Sequence, residues 1–197
     1  MKTRYTLKTI LIGDPYVGKS NILRRLCDDE FDDLSHSTIG IDFYSKIYNI
    51  DNIPLRFHIW DTSGQTQYRS IVEVYYKTTD IVIICYDVSN RNSFNNVRYW
   101  YNQIQGLGLD KSLIYIVGNK IDIKYAEVSI YELRDVAEEL GIRYIEVSAK
   151  DNINIDELFT NICNNFLVSN LRNIKDNIIN VCKTPPPIPN TRYCRLC

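Results

Sequence analysis

The residues best equipped for chemistry are Lys19 and Ser20, which close the stretch Gly13-Asp14-Pro15-Tyr16-Val17-Gly18-Lys19-Ser20. Lysine supplies a compact positive charge, and a serine hydroxyl can ligate a hard cation. The two glycines at this spacing match a phosphate-binding P-loop. There, successive backbone N–H groups wrap a phosphate and a helix N-terminus adds partial positive charge. Such a loop needs a strand before it and a helix after it. Ile10-Leu11-Ile12 enters as a strand-like run, and Asn21-Ile22-Leu23-Arg24-Arg25-Leu26 leaves with helical spacing. Lys19 is expected to neutralise β- and γ-phosphates, and Ser20 to occupy one Mg²⁺ coordination position.

A second group of polar residues sits far along the chain. In a doubly wound sheet, ligands collect at the carboxyl ends of strands, where Asp61, Asn119, Asp122 and Ser148 all fall. Asn119-Lys120-Ile121-Asp122 places a carboxylate where it can accept from a planar pair of donors. Guanine offers that pair at N1–H and its exocyclic amine; adenine presents an acceptor and no matching amine there. Leaving a buried carboxylate unpaired costs at least a few kcal/mol. Asp122 is therefore expected to select guanine and reject ATP.

The elements that must position these groups follow from periodicity. Apolar runs alternate with helical patterns over the first ~168 residues, the mark of an α/β doubly wound sheet. Polar sequence from Asp28 to Ser37 breaks the period and is expected to form a loop. Ile41 to Ile50 and Pro54 to Trp60 are separated only by Asp51-Asn52-Ile53, so they predict an antiparallel hairpin. Asp80 to Tyr86 is nearly unbroken in apolar residues, as a central strand would be. Helical spacing covers Ser93 to Gln105. Leu113 to Val117 forms the next strand, and Ser129 to Leu140 the next helix, with Ser129 as N-cap and Gly141 as stop. Ile142 to Val147 is expected as the last strand and Ile155 to Leu167 as the last helix. Beyond residue ~170 the pattern decays toward Pro185-Pro186-Pro187-Ile188-Pro189, a stiff polyproline-type stretch. Residues 1–170 are thus expected to form one domain and 171–197 a flexible tail.

Composition narrows the classes. Apolar content of 45% and charged content of 24% suit a soluble globular domain. A net charge of −1 argues against a general nucleic-acid binder. No signal peptide or membrane-spanning run is visible. Cys27, Cys85 and Cys163 lie in apolar segments and read as buried thiols, while Cys182, Cys194 and Cys197 crowd the tail. His36 and His58 are expected to be solvent-facing or structural, and a reducing cytosolic setting follows.

Taken together, these motifs resemble those of Ras-superfamily small GTPases, and most closely the Rab family, over about residues 5 to 170. The resemblance implies a P-loop NTPase fold: a three-layer doubly wound sheet of six strands, five parallel and one antiparallel at the edge, with flanking helices. Its cofactors are GTP or GDP and Mg²⁺. Carried over, Gly13, Tyr16, Val17, Gly18, Lys19, Ser20 and Asn21 belong to the phosphate loop and its helix. Phe31 corresponds to the aromatic against the guanine edge, and Thr38 to the switch I threonine that joins the Mg²⁺ shell. Asp61 corresponds to the ligand of an Mg²⁺-bound water, Gly64 to the N–H on the γ-phosphate, and Gln65 to the residue that orients the attacking water. Asn119, Lys120 and Asp122 match the base motif, and Ser148-Ala149-Lys150 the loop whose alanine N–H meets the guanine oxygen.

Ile39-Gly40-Ile41-Asp42-Phe43, Tyr68-Arg69-Ser70-Ile71 and Tyr86-Asp87-Val88-Ser89 are similar to Rab patterns. Phe43, Trp60 and Tyr75 match the Rab aromatic triad of the effector surface. Implied partners are effectors, a guanine-nucleotide exchange factor, a GTPase-activating protein, and prenylation, escort and dissociation-inhibitor proteins. A monomer is expected, cycling between cytosol and the cytoplasmic face of an intracellular membrane.

Three departures stand out against that pattern. Pro15 and Tyr16 replace small residues, Ser63 an alanine, and Thr66 the glutamate that helps exchange factors act. Proline has no N–H and a fixed φ, and Tyr16 must adopt a glycine's dihedrals. The expectation is that nucleotide binding survives while hydrolysis is impaired. Two functions follow: a cycling GTPase, favoured by Gln65, or a nucleotide-loaded module that sequesters Rab partners, toward which Pro15 leans. Cys194-Arg195-Leu196-Cys197 resembles Rab prenylation sites, and equally a four-residue prenylation box on Cys194. Lys183, Arg192 and Arg195 add weak attraction to anionic lipid. Mass spectrometry of protein from its native cell should show at least one prenyl adduct on the tail peptide. An unmodified C-terminus would end the membrane-anchor expectation.

Overall fold

A computed structural model describes residues 5–33, 38, 40–63, 79–109 and 113–183, with side chains described as far as residue 170. In chain order these residues form β1 (Tyr5–Gly13), α1 (Lys19–Asp28), β2 (Ile41–Ile50), β3 (Ile53–Thr62) and β4 (Ile81–Asp87). Next come α2 (Arg91–Asn95), α3 (Val97–Gly106), β5 (Leu113–Asn119), α4 (Ile130–Leu140), β6 (Arg143–Glu146) and α5 (Ile155–Lys183). The six strands make one sheet in the order β2-β3-β1-β4-β5-β6. Only β2 runs antiparallel to its neighbour. This is the expected six-stranded, three-layer sheet.

Alternation along the strands builds two cores. Ile10 and Ile12 of β1, Val82, Ile84 and Tyr86 of β4, and Ile114 and Ile116 of β5 pack in one buried cluster. Phe94, Val97, Trp100, Leu133 and Val136 complete it from α2, α3 and α4. The intervening residues, such as Leu7, Leu11, Ile83 and Cys85, are equally buried and face the opposite side. There Phe57 meets Phe159 of α5 edge-on, with ring centroids 5.3 Å apart, and Tyr48 stacks on Phe159 at 6.4 Å. Burying rings of this size contributes about 1.5–3 kcal/mol each, so α5 is held by its inner face rather than by helix propensity.

The hairpin forms on a shorter turn than expected. Asp51 and Asn52 have φ of 49° and 63°, and Ile53 already pairs with Ile50. Two consecutive positive-φ residues match the right-handed twist of the flanking strands, and short polar side chains tolerate them best. Ser129 caps α4 through a reciprocal bond set with Glu132, and Gly141 ends it at φ 67°, as anticipated.

Three expectations require correction. The helical stretch from Ser93 to Gln105 is two helices that meet at Asn96, and the first begins at Arg91. Asn90 caps it by accepting from the Asn92 and Ser93 N–H groups. The Asn96 side chain is meanwhile committed to Asp14, at 2.7 Å. Helix α5 reaches Lys183 rather than ending at Leu167. Leu171, Ile174, Ile178 and Val181 continue the 3–4 spacing, and no glycine or proline interrupts the chain before Pro185. Cys27 is half-buried; Cys85 and Cys163 are buried as expected. No helix among the described residues is long and apolar enough to cross a membrane.

The chain separates into two units, Met1–Cys163 and Asn164–Cys197. The first holds the sheet, its flanking helices and the start of α5. In the second, Ser169 and Asn170 bond back to the Asn165 and Phe166 carbonyls within the helix, both at 2.9 Å.

Candidate nucleotide-binding site

At the carboxyl ends of β1, β3 and β5 and beside the loop that follows β6 lies a cavity of about 360 Å³. That size and position suit a small ligand at a switch point of the sheet. Its phosphate-loop end is lined by Pro15, Tyr16, Gly18, Lys19, Ser20 and Asn21. Gly13 and Gly18 adopt φ of 136° and 95°; a Cβ would strike the Cys85 carbonyl at the first and the Asn119 amide at the second. Both glycines are therefore required by close approach of other strands' ends. Val17 is buried behind the loop and presents its carbonyl to Asn119.

Lys19 is 6% exposed and folds back on the loop, its Nζ donating to the Gly13 carbonyl at 3.0 Å and the Asp14 carbonyl at 2.8 Å. Burial lowers its pKa from the ordinary lysine value, against the opposing pull of Cys85, Asp61 and Asp14. Asp61, fully buried at the end of β3, is shifted the other way, raised by desolvation. A Ser20 hydroxyl bond to one Asp61 oxygen offsets part of this, and the other oxygen has no hydrogen-bond partner among the described residues.

Thr38 joins that group. Its hydroxyl lies 2.8 Å from Ser20 Oγ and 3.4 Å from the same Asp61 oxygen. Two hydroxyls and a carboxylate with an unpartnered buried oxygen form a hard, all-oxygen donor set. It fits Mg²⁺, which keeps waters and phosphate oxygens as its remaining ligands. Among the described residues there is no cluster of three or more His, Cys, Asp or Glu that could hold a metal alone.

The other end of the cavity is lined by Phe31, Asn119, Lys120, Asp122, Ala149 and Lys150. Ser148 stands behind it, fully buried, donating to Asp122 at 2.6 Å and accepting from the Asp151 N–H at 3.0 Å. Asn119 ties the two ends together. Its amide donates to the Val17 carbonyl at 2.9 Å and accepts from the Ala149 N–H at 3.2 Å. Lys120 adds a second tie, donating to the Tyr16 carbonyl at 2.9 Å. Phe31 is placed by its neighbour Asp32, whose backbone exchanges bonds with the Asn21 side chain while its carboxylate pairs with Arg24 at 2.8 Å.

Tyr16 takes the glycine-like conformation that its position implied, at φ 66°, with 70% of its surface exposed. Phe43, 55% exposed on β2, packs edge-on against half-buried Trp60 at 5.8 Å and His58 at 5.3 Å. Two members of the aromatic triad are thus neighbours across β2 and β3. Gly64, Gln65, Tyr75, Cys194 and Cys197 lie outside the described residues, as does His36.

Sequence reasoning passed over two carboxylates. Asp14 accepts from the Trp100 indole at 2.8 Å and the Asn96 amide at 2.7 Å, pinning the loop to α3. Asp87 pairs with Lys120 at 2.7 Å. Its place at the end of β4, paired with Asn119 at the end of neighbouring β5, was the available signal.

Comparison with known proteins agrees with this arrangement. The Ras family model matches residues 8–168. The chain is 36% identical over 184 residues to the Ras-related protein Rab-1D of Dictyostelium discoideum, covering 93% of this chain and 86% of that one. It is 41% identical over 170 residues to Rab-11B of the same organism, covering 86% and 77%. To the GTP-binding protein ypt2 of Schizosaccharomyces pombe it is 38% identical over 156 residues, covering 79% and 78%. The chain belongs to the Ras family, and its relatives within that family are Rab and Ypt proteins.

Proposed function

We propose that this chain is a Rab-like molecular switch that binds GTP or GDP with Mg²⁺ and slowly converts one to the other. The observation that carries the proposal is the coupling of the two cavity ends. Asn119 and Lys120 hold the phosphate loop through the Val17 and Tyr16 carbonyls, while Asp122, two residues on, lines the far end. A ligand that fills both ends needs a polyphosphate for Lys19 and a base with adjacent donors for Asp122. GTP and GDP meet both requirements.

Lys19 would exchange its two loop carbonyls for phosphate oxygens, ending a mismatch between a buried ammonium and neutral acceptors. Ser20, Thr38 and Asp61 would hold Mg²⁺, which when bound neutralises charge on the β- and γ-phosphate oxygens. Thr38 lies on the segment between α1 and β2, so nucleotide state can be passed to that segment and to exposed Phe43 just beyond it. Effectors that recognise the Phe43–Trp60 surface would then read the nucleotide. Gln65 is assigned to orient the attacking water and Gly64 to contact the γ-phosphate, both by resemblance. A prenylated Cys194 or Cys197 would tether the switch to a membrane for a role in vesicle trafficking, with escort, exchange and activating proteins as partners.

Replacing Asp122 by alanine is expected to weaken GDP binding by about a hundredfold or more while leaving ADP binding weak and nearly unchanged. Fluorescence titration with both nucleotides decides this. Equal, small effects on GDP and ADP would contradict the guanine assignment.

A second function, nucleotide loading with little turnover, is favoured by one specific observation. Pro15 and Tyr16 both line the phosphate end, and Tyr16 sits at positive φ, a conformation costing about 1–3 kcal/mol for a residue with a bulky side chain. Single-turnover hydrolysis of GTP should be about tenfold faster in Pro15→Ser than in the native chain, or become responsive to an activating protein. Equal rates in the two chains, both with and without that protein, would show that Pro15 does not restrain hydrolysis.

A further inference from the structure

Arg25 lies in the last turn of α1, well away from the phosphate loop, and its side chain is only 15% exposed. All three guanidinium nitrogens are used. Nε donates to the Ala149 carbonyl at 3.0 Å and one terminal nitrogen to the Lys150 carbonyl at 3.1 Å. The other terminal nitrogen donates to the Asp29 carbonyl at 2.7 Å and the Asp29 carboxylate at 3.0 Å. That carboxylate also accepts from the Asn152 amide at 3.3 Å, which returns the network to the same loop. Asp29 is the left-handed cap of α1, at φ 57°.

We infer that Arg25 is a positioning residue for base recognition, fixing the Ala149–Lys150 peptides against the end of α1. It rests on the guanine-nucleotide function proposed above. Holding the carbonyls of Ala149 and Lys150 fixes the two peptide planes that follow Ala149. The Ala149 N–H lies in the plane before these and donates to the Asn119 amide oxygen at 3.2 Å, a bond that a base oxygen would share or replace. Pinning the Ala149 carbonyl keeps that N–H and the Lys150 stem at the base end of the cavity. The same helix carries Lys19 and Ser20 in its first turn, so α1 grips the phosphate end with one terminus and the base loop with the other. A planar fork reaches two carbonyls and Asp29 at once, which a single ammonium cannot do.

The test uses the full-length chain and two nucleotides, GDP and 6-thio-GDP. They differ at the guanine oxygen that the Ala149 N–H would meet, since sulfur accepts weakly, and share the N1–H and amine that Asp122 would read. The native chain should release 6-thio-GDP faster than GDP. In Arg25→Ala, GDP release should accelerate by about tenfold while 6-thio-GDP release changes little, so that the preference falls toward one. Arg25→Lys keeps the charge beside Asp29 but not the fork, and should lose the preference in the same way. Thermal unfolding with GDP present checks that both variants are folded.

A loss in Arg25→Ala and Arg25→Lys that is equal for the two nucleotides would overturn the inference and leave Arg25 a general brace. So would unchanged release in both variants. If the native chain bound neither nucleotide, the guanine function itself would fail and this inference with it.

Discussion

Two buried charges of opposite sign, Lys19 and Asp61, set the terms for everything around them. Among the described residues, neither is matched by a full counter-charge in direct contact. Lys19 makes do with two backbone carbonyls, and Asp61 with a serine hydroxyl and one unpartnered oxygen. Desolvation pushes each toward its neutral form, lowering the lysine and raising the aspartate. A phosphate beside the first and a divalent cation beside the second would reverse both shifts. On the proposed function, a metal–polyphosphate complex would answer both deficits at once, and its binding would be linked to stability.

The phosphate loop bears a second cost in the conformation of Tyr16. It is held from both sides by side chains remote in sequence. Lys120 donates to the Tyr16 carbonyl, itself fixed by Asp87, and Asp14 is pinned by Trp100 and Asn96. These ties come from β4, β5 and α3, so the loop's shape is set by the packed sheet rather than by its own sequence. That explains how a loop with proline and tyrosine in place of small residues can keep Gly13, Gly18, Lys19 and Ser20 in register.

Much of this was legible in the sequence because it is local. Strand runs, the Ser129 cap, the Gly141 stop and the phosphate-loop spacing each depend on residues within one or two turns of each other. The two motifs at strand ends became one site once a parallel sheet was inferred, since such sheets gather those ends. The rest depends on partners that no local pattern encodes. Asp14 meets Trp100 across 86 positions, and Arg25 meets Ala149 across 124. The length of α5 was missed for a different reason. Polar residues dilute the pattern beyond residue ~170, yet the apolar spacing at Leu171, Ile174, Ile178 and Val181 runs on as the helix does.

The central claim is that one ligand satisfies Lys19, Asp61 and Asp122 together. It is tested most directly by identifying the nucleotide released when the purified full-length chain, prepared in Mg²⁺ buffer without added nucleotide, is denatured. A near-stoichiometric amount of GDP or GTP is predicted. An adenine nucleotide, or an empty protein that fails to take up GDP when it is supplied with Mg²⁺, would contradict the account.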